Sequence, residues 1–470
     1  MSAIPAPPVY QNPYMTDNNY SEIHLNSYQT DTFSVPGPAS FAHQTVQQKL
    51  IKPLGGIAGS ITVDTDNNLL VTIRVAPQHT PGGGFMSTHT LLLLDPTTLK
   101  VLASKILSST PPTGVTFSGG GYFYLNNDNQ VVNVTTQGEI QIYSIGQGDD
   151  GQWEFKPVQQ YNVKSALKGD DDTLNSVLPD STKSGNLWFI SKDGAVGYVN
   201  PTTGHMFSTS VSPGETISKS FATDGQGRVF VVSDRALYCF QAMPSGGIQE
   251  LWRTPYDYGT RRRPKPGQIQ IGSGTTPTCF DDFAGNEFVT IADNANKFMH
   301  VNVYNRATGA LVAQQEVFTN LPKGMGDTEN SLIAVNDSII VENNYGNRSP
   351  ASTLGHLTTR PDIDRVDFNP STGQSEVTWQ NSHIAVPSIV SQLSTADGLL
   401  YTYAKDRRGW YWAALSYQTG DIVAKQRIPW SKVALGAPAN NYYGGLTVGP
   451  DGTAYEGVFG GIVAWRPQLS

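Results

Sequence analysis

This sequence of 470 residues is poor in charge and in cysteine, and it contains no long apolar run. Charged residues make up 15% of it, against roughly 25% in ordinary soluble proteins. The net charge of -8 argues against a nucleic-acid partner, because phosphate binding requires a basic surface. No stretch reaches the roughly 18 apolar residues of a membrane-spanning helix, so no membrane span is predicted.

Motifs for common catalytic and metal sites are absent as well. The chain has no G-x-S-x-G elbow, which excludes the nucleophile of an α/β-hydrolase. Its eight histidines show neither H-E-x-x-H nor any paired spacing, so the common zinc signatures are missing. DTDNN at residues 64–68 starts like a calcium loop but lacks the glycine and the closing glutamate of one. The sequence therefore predicts neither a metal site nor a cofactor.

The cysteines and sequons bear on the compartment. Cys239 and Cys279 fall on neighbouring units of the repeat described below, so either a disulfide or two buried thiols is expected. The first twenty residues lack the basic and apolar regions of a signal peptide. Four N-x-S/T sequons favour a secreted glycoprotein whose signal peptide is missing from this sequence, with a cytosolic protein as the alternative. The sequons begin at Asn19, Asn133, Asn336 and Asn347.

Glycine (47), proline (30) and tyrosine (21) are abundant, and this composition is typical of strands and turns. A turn followed by an apolar strand recurs eight times, at intervals of about 55 residues. The turns are marked by Asn67, Gly120, Gly185, Gln226, Gly285, Asp337, Gly398 and Gly452. A second repeat places a Thr-Gly turn between two strands. This turn recurs at Gly204, Gly309, Gly373 and Gly420, with Leu99 at the same place in DPTTLKVLASK.

Each unit is predicted to contain four short strands without an intervening helix, which indicates an all-β, eight-bladed β-propeller. The Thr-Gly turn is then the hairpin between the third and fourth strands, where glycine supplies a positive φ. The last unit ends after its third strand, and residues 46–51 are predicted to supply the fourth and close the ring. Seven blades are the alternative. We expect an irregular N-terminal extension over residues 1–40 and one propeller domain over residues 41–470.

Five long connections are predicted to lie on one face of the propeller, because the links from second to third strand and from blade to blade share a face. They cover residues 76–90, 253–274, 318–329, 343–359 and 428–445. Beneath them, the start of the inner strands would present a polar floor for a small-molecule pocket. The floor residues are Thr276, Thr278, Glu329, Asn330 and Ser388. Crowding of eight strands about one axis also explains small residues there without any function.

Several segments resemble a known group of proteins. GSGTTPT (272–278), TENSLI (328–333), ENNYG (342–346), DRVDFNPSTG (364–373) and GPDGTAYEGVFGGIVAW (449–465) are similar to propellers that include the fungal hetero-Diels–Alderases of tropolone-sesquiterpenoid biosynthesis. That resemblance implies a cofactor-independent joining of a tropolone quinone methide to a humulene-type olefin. The Thr-Gly hairpin also resembles the repeat of pyrroloquinoline-quinone-type eight-bladed propellers, whose pair of adjacent cysteines is missing here.

A pericyclase is therefore the first functional hypothesis, since a cycloaddition needs apolar partners held in a reactive geometry and hydrogen-bond donors aimed at the developing negative charge. Aromatic walls are predicted at Tyr345, Tyr403, Trp410, Tyr442 and Tyr443. The candidates to polarise the substrate oxygen are Arg263, Thr276, Asn344 and Asn440. The alternatives are a non-catalytic secreted propeller that binds a glycan or another ligand, and a cation-dependent hydrolase or lactonase using Glu329, Asp293 and Asn330.

Overall fold

Each predicted unit folds as an antiparallel sheet of four strands in the computed structural model, which describes residues 2–50, 56–79, 85–110, 121–430 and 433–468. Within these residues the strands form eight sheets, so the fold is an eight-bladed β-propeller and the seven-bladed alternative is wrong. The second strand of a blade commonly contains a short apolar run, such as VFVV within Arg228–Val232, because neighbouring sheets cover both of its faces.

The first four blades follow one another along the chain from the innermost to the outermost strand. Blade 1 contains β3 (Gly56–Val63), β4 (Leu69–His79), β5 (Phe85–Leu94) and β6 (Val101–Thr110). Blade 2 contains β7 (Phe123–Leu125), β8 (Gln130–Val134), β9 (Glu139–Gln147) and β10 (Trp153–Asn162). Blade 3 contains β11 (Leu174–Pro179), β12 (Leu187–Ser191), β13 (Ala195–Val199) and β14 (Met206–Ser210). Blade 4 contains β15 (Ala222–Thr223), β16 (Arg228–Val232), β17 (Ala236–Ala242) and β18 (Ile248–Pro255).

The remaining blades continue the series. Blade 5 contains β19 (Thr278–Asp281), β20 (Glu287–Ala292), β21 (Met299–Asn305) and β22 (Leu311–Val317). Blade 6 contains β23 (Ile333–Val335), β24 (Ser338–Glu342), β25 (Ile363–Phe368) and β26 (Ser375–Asn381). Blade 7 contains β27 (Gln392–Ser394), β28 (Leu399–Asp406), β29 (Gly409–Ser416) and β30 (Ile422–Arg427). Blade 8 contains β31 (Leu446–Val448), β32 (Ala454–Val458) and β33 (Gly461–Pro467).

The helices of the described residues are short 3-10 turns at Pro38–Ser40, Lys164–Ala166, Pro350–Thr353 and Val433–Ala439. None of them is long and apolar enough to cross a membrane.

An N-terminal strand completes blade 8, as predicted. Strand β2 (Gln44–Leu50) pairs antiparallel with β33, so that Val46 lies opposite Trp465. Blade 8 then packs on blade 1 through Tyr455 and Ile462, which share a buried apolar cluster with Ala58. The ring is therefore closed by chain ends that are far apart in sequence, and the outer edge of blade 8 is paired. Ile51, the last residue of the predicted closing strand, lies outside the described residues.

The Thr-Gly turns have the predicted backbone. Gly204, Gly309 and Gly373 each have φ of 70°. In each turn the glycine N–H donates to the carbonyl of the residue four positions earlier, as from Gly309 to Asn305 at 2.8 Å. Leu99 keeps the same geometry with a φ of 55°, although this region is unfavourable for a side chain that bears a Cβ. The fifth copy of the turn is thus conserved in shape without its glycine. The turn marker Gly120 lies outside the described residues.

The N-terminal extension is ordered and divides the central channel. Residues 2–14, here called the arm, run across one end of the channel from blade 7 to blade 3; Ile4 N–H donates to Thr395 and the Asn12 amide to Pro179. Residues 15–33, here called the plug, then cross inside the ring. Plug backbone bonds reach the inner strands of several blades, including those from Thr223 to Ser27 and from Cys279 to Tyr28. At its end, β1 (Thr32–Phe33) pairs in parallel with β27.

Three local expectations need correction or limits. The connection predicted over residues 76–90 is mainly a lengthened hairpin of β4 and β5, with residues 80–84 outside the described residues. His89, expected in that loop, is buried in β5.

Cys239 and Cys279 are both buried free thiols rather than a disulfide. Of the sequons, Asn133 and Asn347 have buried side chains that leave no room for a glycan, so the prediction of a glycoprotein depends on Asn19 and Asn336.

Candidate functional site

The plug leaves a small chamber on the side of the channel that faces the blade-to-blade connections, here called the loop side. Its volume is about 40 Å³. Five of the predicted site residues line it: Thr276, Glu329, Asn330, Ser388 and Tyr443. They converge because each lies just before an inner strand, and the starts of the inner strands meet around the axis of the ring. At roughly 10–15 Å³ per water, this chamber holds only a few water molecules.

A buried ion pair crosses the chamber. Lys219, in the connection between blades 3 and 4, forms a salt bridge with Glu329, in the connection between blades 5 and 6. Burial raises the pKa of Glu329, while the lysine charge opposes this rise. The other Glu329 oxygen accepts the backbone N–H of Ile269 at 2.9 Å. Glu329 is therefore held between a cation and a loop of the roof, and Lys219 is a site residue that no motif in the sequence indicated.

The plug contributes a second polar group to the chamber. His24 Nδ1 lies 3.0 Å from the Asp31 carboxylate, and its Nε2 lies 3.4 Å from the hydroxyl of Ser331. Burial lowers the pKa of His24, but the charge of Asp31 and its hydrogen bond outweigh burial and raise it. Burial also raises the pKa of the neighbouring Glu22 to about 8. No pattern in the sequence indicated these residues, because they lie in an aperiodic segment expected to be irregular.

The roof of the chamber is built from loops of different blades. Gly267 accepts a hydrogen bond from the Tyr443 hydroxyl at 2.7 Å, and its N–H donates to Asp327 at 2.9 Å. Burial raises the pKa of Asp327 to about 7. A Cβ at position 267 would lie 2.2 Å from Asp327 Oδ1, so glycine is required for this close approach. The connection from blade 4 to blade 5 therefore reaches across the mouth and joins blade 8.

The other predicted residues hold loops together or lie apart from the chamber. Asn344 accepts the Glu329 N–H at 2.7 Å, and Asn440 joins two loops through Thr353 and Pro350. The Thr278 hydroxyl donates to the Leu332 carbonyl. Tyr403 stacks on Trp410 in the core of blade 7. The remaining three are Tyr345, half-buried; Tyr442, buried against Tyr443; and Arg263, exposed on its loop.

A second, larger pocket of about 340 Å³ lies on the opposite side of the plug, here called the plug side. The arm forms one wall, and the ends of the inner strands of blades 5 to 7 form the other. Its apolar lining includes Ile4, Pro8, Val9, Phe33, Phe280 and Val335. Its polar lining includes Asn18, Asn19, Asn26, Asn336, Asp281 and Thr395. A volume of this size is within the range of roughly 300–1,000 Å³ found for small-molecule sites.

The carboxylates considered for a cation are engaged elsewhere. Glu329 is paired with Lys219, and Asp293 lies 2.6 Å from His300 Nδ1. Among the described residues no group of three or more His, Cys, Asp or Glu side chains is arranged to hold a metal ion.

The chain was compared with known proteins, and no family model matches it. An uncharacterized protein of Archaeoglobus fulgidus is 27% identical over 318 residues, which cover 60% of this chain and 59% of that protein. The chain thus matches less than two thirds of that relative's length.

Two solved structures illustrate the fold. A quinohemoprotein alcohol dehydrogenase from Comamonas testosteroni has a TM-score of 0.53 and 12% identity, covering 98% of this chain and 82% of its own. Sqt1 of Chaetomium thermophilum, solved with the N-terminus of the ribosomal protein L10, has a TM-score of 0.51 and 12% identity, covering 89% and 98%. Likenesses at such low identity show the fold alone. The quinohemoprotein confirms the predicted resemblance to quinone-type propellers at that level, and this chain is an eight-bladed β-propeller.

Proposed function

We propose that this propeller binds small apolar molecules that carry a polar oxygen, and that its site is the pocket on the plug side. The reaction we propose there is the hetero-Diels–Alder cycloaddition of a tropolone quinone methide with a humulene-type olefin. The observation that carries the proposal is a pocket of about 340 Å³ whose lining combines apolar side chains with amide groups. The chamber on the loop side, at about 40 Å³, is too small for two such partners.

The chemistry of the lining suits a cycloaddition. Val9, Phe33 and Phe280 offer apolar surface against which an olefin loses its contact with water. Asn336 lines the pocket and is half-buried. An amide N–H there would stabilise negative charge that develops on the heterodiene oxygen. Holding both partners in one geometry lowers the barrier further, by several kcal/mol.

The experiment compares the rate and the stereochemistry of the cycloaddition with and without purified full-length protein. We expect acceleration and a single product stereoisomer. Ala6→Trp, which fills the pocket from the arm, should abolish the effect. Asn336→Asp, which keeps the shape of the side chain but removes its N–H donors, should slow the reaction by roughly 10²-fold.

The matched control for the second variant is Asn67→Asp. Asn67 has a positive φ of 64°, like the 56° of Asn336, and it occupies the corresponding turn of blade 1 away from the pocket. An unchanged rate and product ratio with the wild-type protein would refute the cycloaddition. Saturable binding of the olefin that Ala6→Trp prevents, without any acceleration, would instead support the non-catalytic binding protein.

A further inference from the structure

The chamber on the loop side contains an arrangement of side chains that the cycloaddition does not use. Ser331, at the start of the inner strand of blade 6, lies 3.4 Å from His24 Nε2. The other ring nitrogen of His24 lies 3.0 Å from Asp31. All three side chains are buried, and Ser331 and His24 both line the chamber. A hydroxyl, an imidazole and a carboxylate are thus aligned in the order required for nucleophilic catalysis.

Hydrogen bonding determines which way the protons point. Asp31 accepts the Nδ1–H of His24, which leaves Nε2 of the neutral ring as an acceptor. The backbone N–H of Thr276 donates to Ser331 Oγ at 3.1 Å and occupies one of its lone pairs. The hydroxyl hydrogen of Ser331 is then available to His24 Nε2. A separation of 3.4 Å is long for a hydrogen bond, but such bonds in empty sites commonly shorten when substrate binds.

A donor for a developing oxyanion lies beside the hydroxyl. The Thr276 side chain lines the chamber, is 1% exposed, and has no hydrogen-bond partner among the described residues. Leaving a buried hydroxyl without a partner costs roughly 1–3 kcal/mol, so a group that accepts its hydrogen would be favoured there. Lys219, in the same lining, adds a positive charge. The chamber therefore offers a place for a carbonyl whose oxygen becomes negative.

We propose that Ser331, His24 and Asp31 form the nucleophile, base and positioning residue of a hydrolytic site for esters of short acyl groups. The acyl group is short because the chamber measures about 40 Å³, which accommodates a few heavy atoms such as those of an acetyl group. The alcohol portion of the ester extends from the chamber towards the loops that cover it. The ester enters when the hydrogen bond between the Tyr443 hydroxyl and the Gly267 carbonyl breaks and the roof opens there.

The reaction proceeds in two balanced steps. Ser331 Oγ attacks the ester carbonyl carbon as His24 Nε2 takes the hydroxyl proton, and the Thr276 hydroxyl donates to the carbonyl oxygen. The bond to the alcohol oxygen breaks, and His24 returns its proton to the departing alcohol. Water then attacks the acyl group on Ser331 with His24 again as the base, which releases the carboxylic acid and restores the serine hydroxyl.

The first experiment uses the intact wild-type protein. Incubation with a fluorophosphonate, followed by peptide mass spectrometry, should place one adduct on Ser331, and the protein should hydrolyse p-nitrophenyl acetate. Absence of an adduct from Ser331, or an adduct only on another residue, overturns the proposal. This measurement needs no variant, so a loss of folding cannot obscure it.

Variants provide the second test. Ser331→Ala should lower ester hydrolysis by at least about 10³-fold. Asp31→Asn should lower kcat and leave KM nearly unchanged, because Asp31 orients His24 without touching substrate. Ser176→Ala is the matched control, since Ser176 is a buried channel serine whose hydroxyl bonds that of Ser220, at 2.7 Å. Hydrolysis that survives in Ser331→Ala refutes the site.

The two proposals fail separately. Ser331→Ala leaves the pocket on the plug side intact, so it should not change the cycloaddition. Conversely, Ala6→Trp should not change the hydrolysis of p-nitrophenyl acetate.

Discussion

The two ends of the central channel are closed in different ways. On the plug side a single continuous segment crosses the ring, and a pocket of about 340 Å³ remains between the arm, the plug and the inner strands. On the loop side the connections of several blades meet and bond each other, as Gly267 does with Tyr443, and a chamber of about 40 Å³ remains. The longer loops therefore lie over the smaller space.

The difference has a physical basis. Loops that bring tyrosine and asparagine side chains to one axis satisfy each other's buried polar groups, and doing so draws them together. The arm has no regular structure, so it bonds the blades at separated points, such as the Ile4 backbone N–H and the Asn12 side-chain amide. The chain between those points spans the opening without filling it. Long loops thus predict a covered mouth, and the volume beneath them depends on how they bond.

Deletion of residues 2–33 should have the largest effect on this comparison. It removes four large buried apolar side chains, Met15, Leu25, Tyr28 and Phe33. At roughly 1.5–3 kcal/mol each, their loss approaches the total stability of a typical domain, roughly 5–15 kcal/mol. We expect insoluble protein or a molten state, measured by expression and thermal unfolding. A stable, cooperative fold in this deletion would show that the plug is dispensable. The control is deletion of residues 2–8, part of the arm, which should leave the propeller folded.

The next variants compare one apolar side chain from each end. Phe33→Ala should lower the free energy of unfolding by about 3–5 kcal/mol, because Phe33, at the end of the plug, is 2% exposed and packs in the apolar cluster of blade 7. Leu435→Ala, in a roof loop, should change it by less than about 0.5 kcal/mol, because Leu435 is 65% exposed. Denaturant unfolding measures both. Equal losses would contradict the view that the plug is part of the core.

The loop side depends on its buried ion pair. Lys219→Met leaves Glu329 buried without its cation and should lower the free energy of unfolding by about 3 kcal/mol. This is the lower end for a broken buried pair, because a proton can neutralise the carboxylate. The double variant with Glu329→Gln should recover most of this loss. Lys156→Met is the control, because its 3.1 Å pair with Glu154 is exposed and should contribute little. Chemical denaturation measures all three, and an equal effect at both lysines would refute the role of the pair.

A pH dependence should give the smallest effect. Burial raises the pKa of Glu342 from 4.5 to about 7. The folded state therefore binds a proton that the unfolded state has lost, and the resulting stability is present below pH 4.5 and declines as pH rises to about 7. Glu342→Gln should remove this part of the loss of stability with rising pH, roughly 1–3 kcal/mol in the free energy of unfolding. Unfolding curves from pH 4.5 to 8 measure it, with the exposed Glu376→Gln as the control; an unchanged slope in Glu342→Gln would contradict the shift.

Local signals predicted most of the architecture. The Thr-Gly turns at Gly204 and Gly309 indicated hairpins because a positive φ is a local requirement, and the structure confirms it. The missing last strand of blade 8 indicated that an N-terminal strand closes the ring, and β2 does so. The connection expected over residues 76–90 was wrong because the pairing of β4 with β5 continues to His79 and Phe85, beyond the end of the apolar alternation.

The candidate site was only partly accessible to the same reasoning. Glu329 and Asn330 could be placed in the channel because they precede an inner strand, and every inner strand starts near the axis. His24 and Asp31 could not, because nothing in an aperiodic segment states where it will lie. The contact of His24 with Ser331 joins residues separated by 307 positions along the chain.

The sequence by itself determined the repeating blade, its turns and the closure of the ring, since strand period and backbone φ depend on neighbouring residues. Only the tertiary structure decided that residues 15–33 pass through the ring and split its channel into two unequal spaces. That choice depends on buried hydrogen bonds and apolar contacts between distant segments, whose free energy exists only once the blades surround the plug.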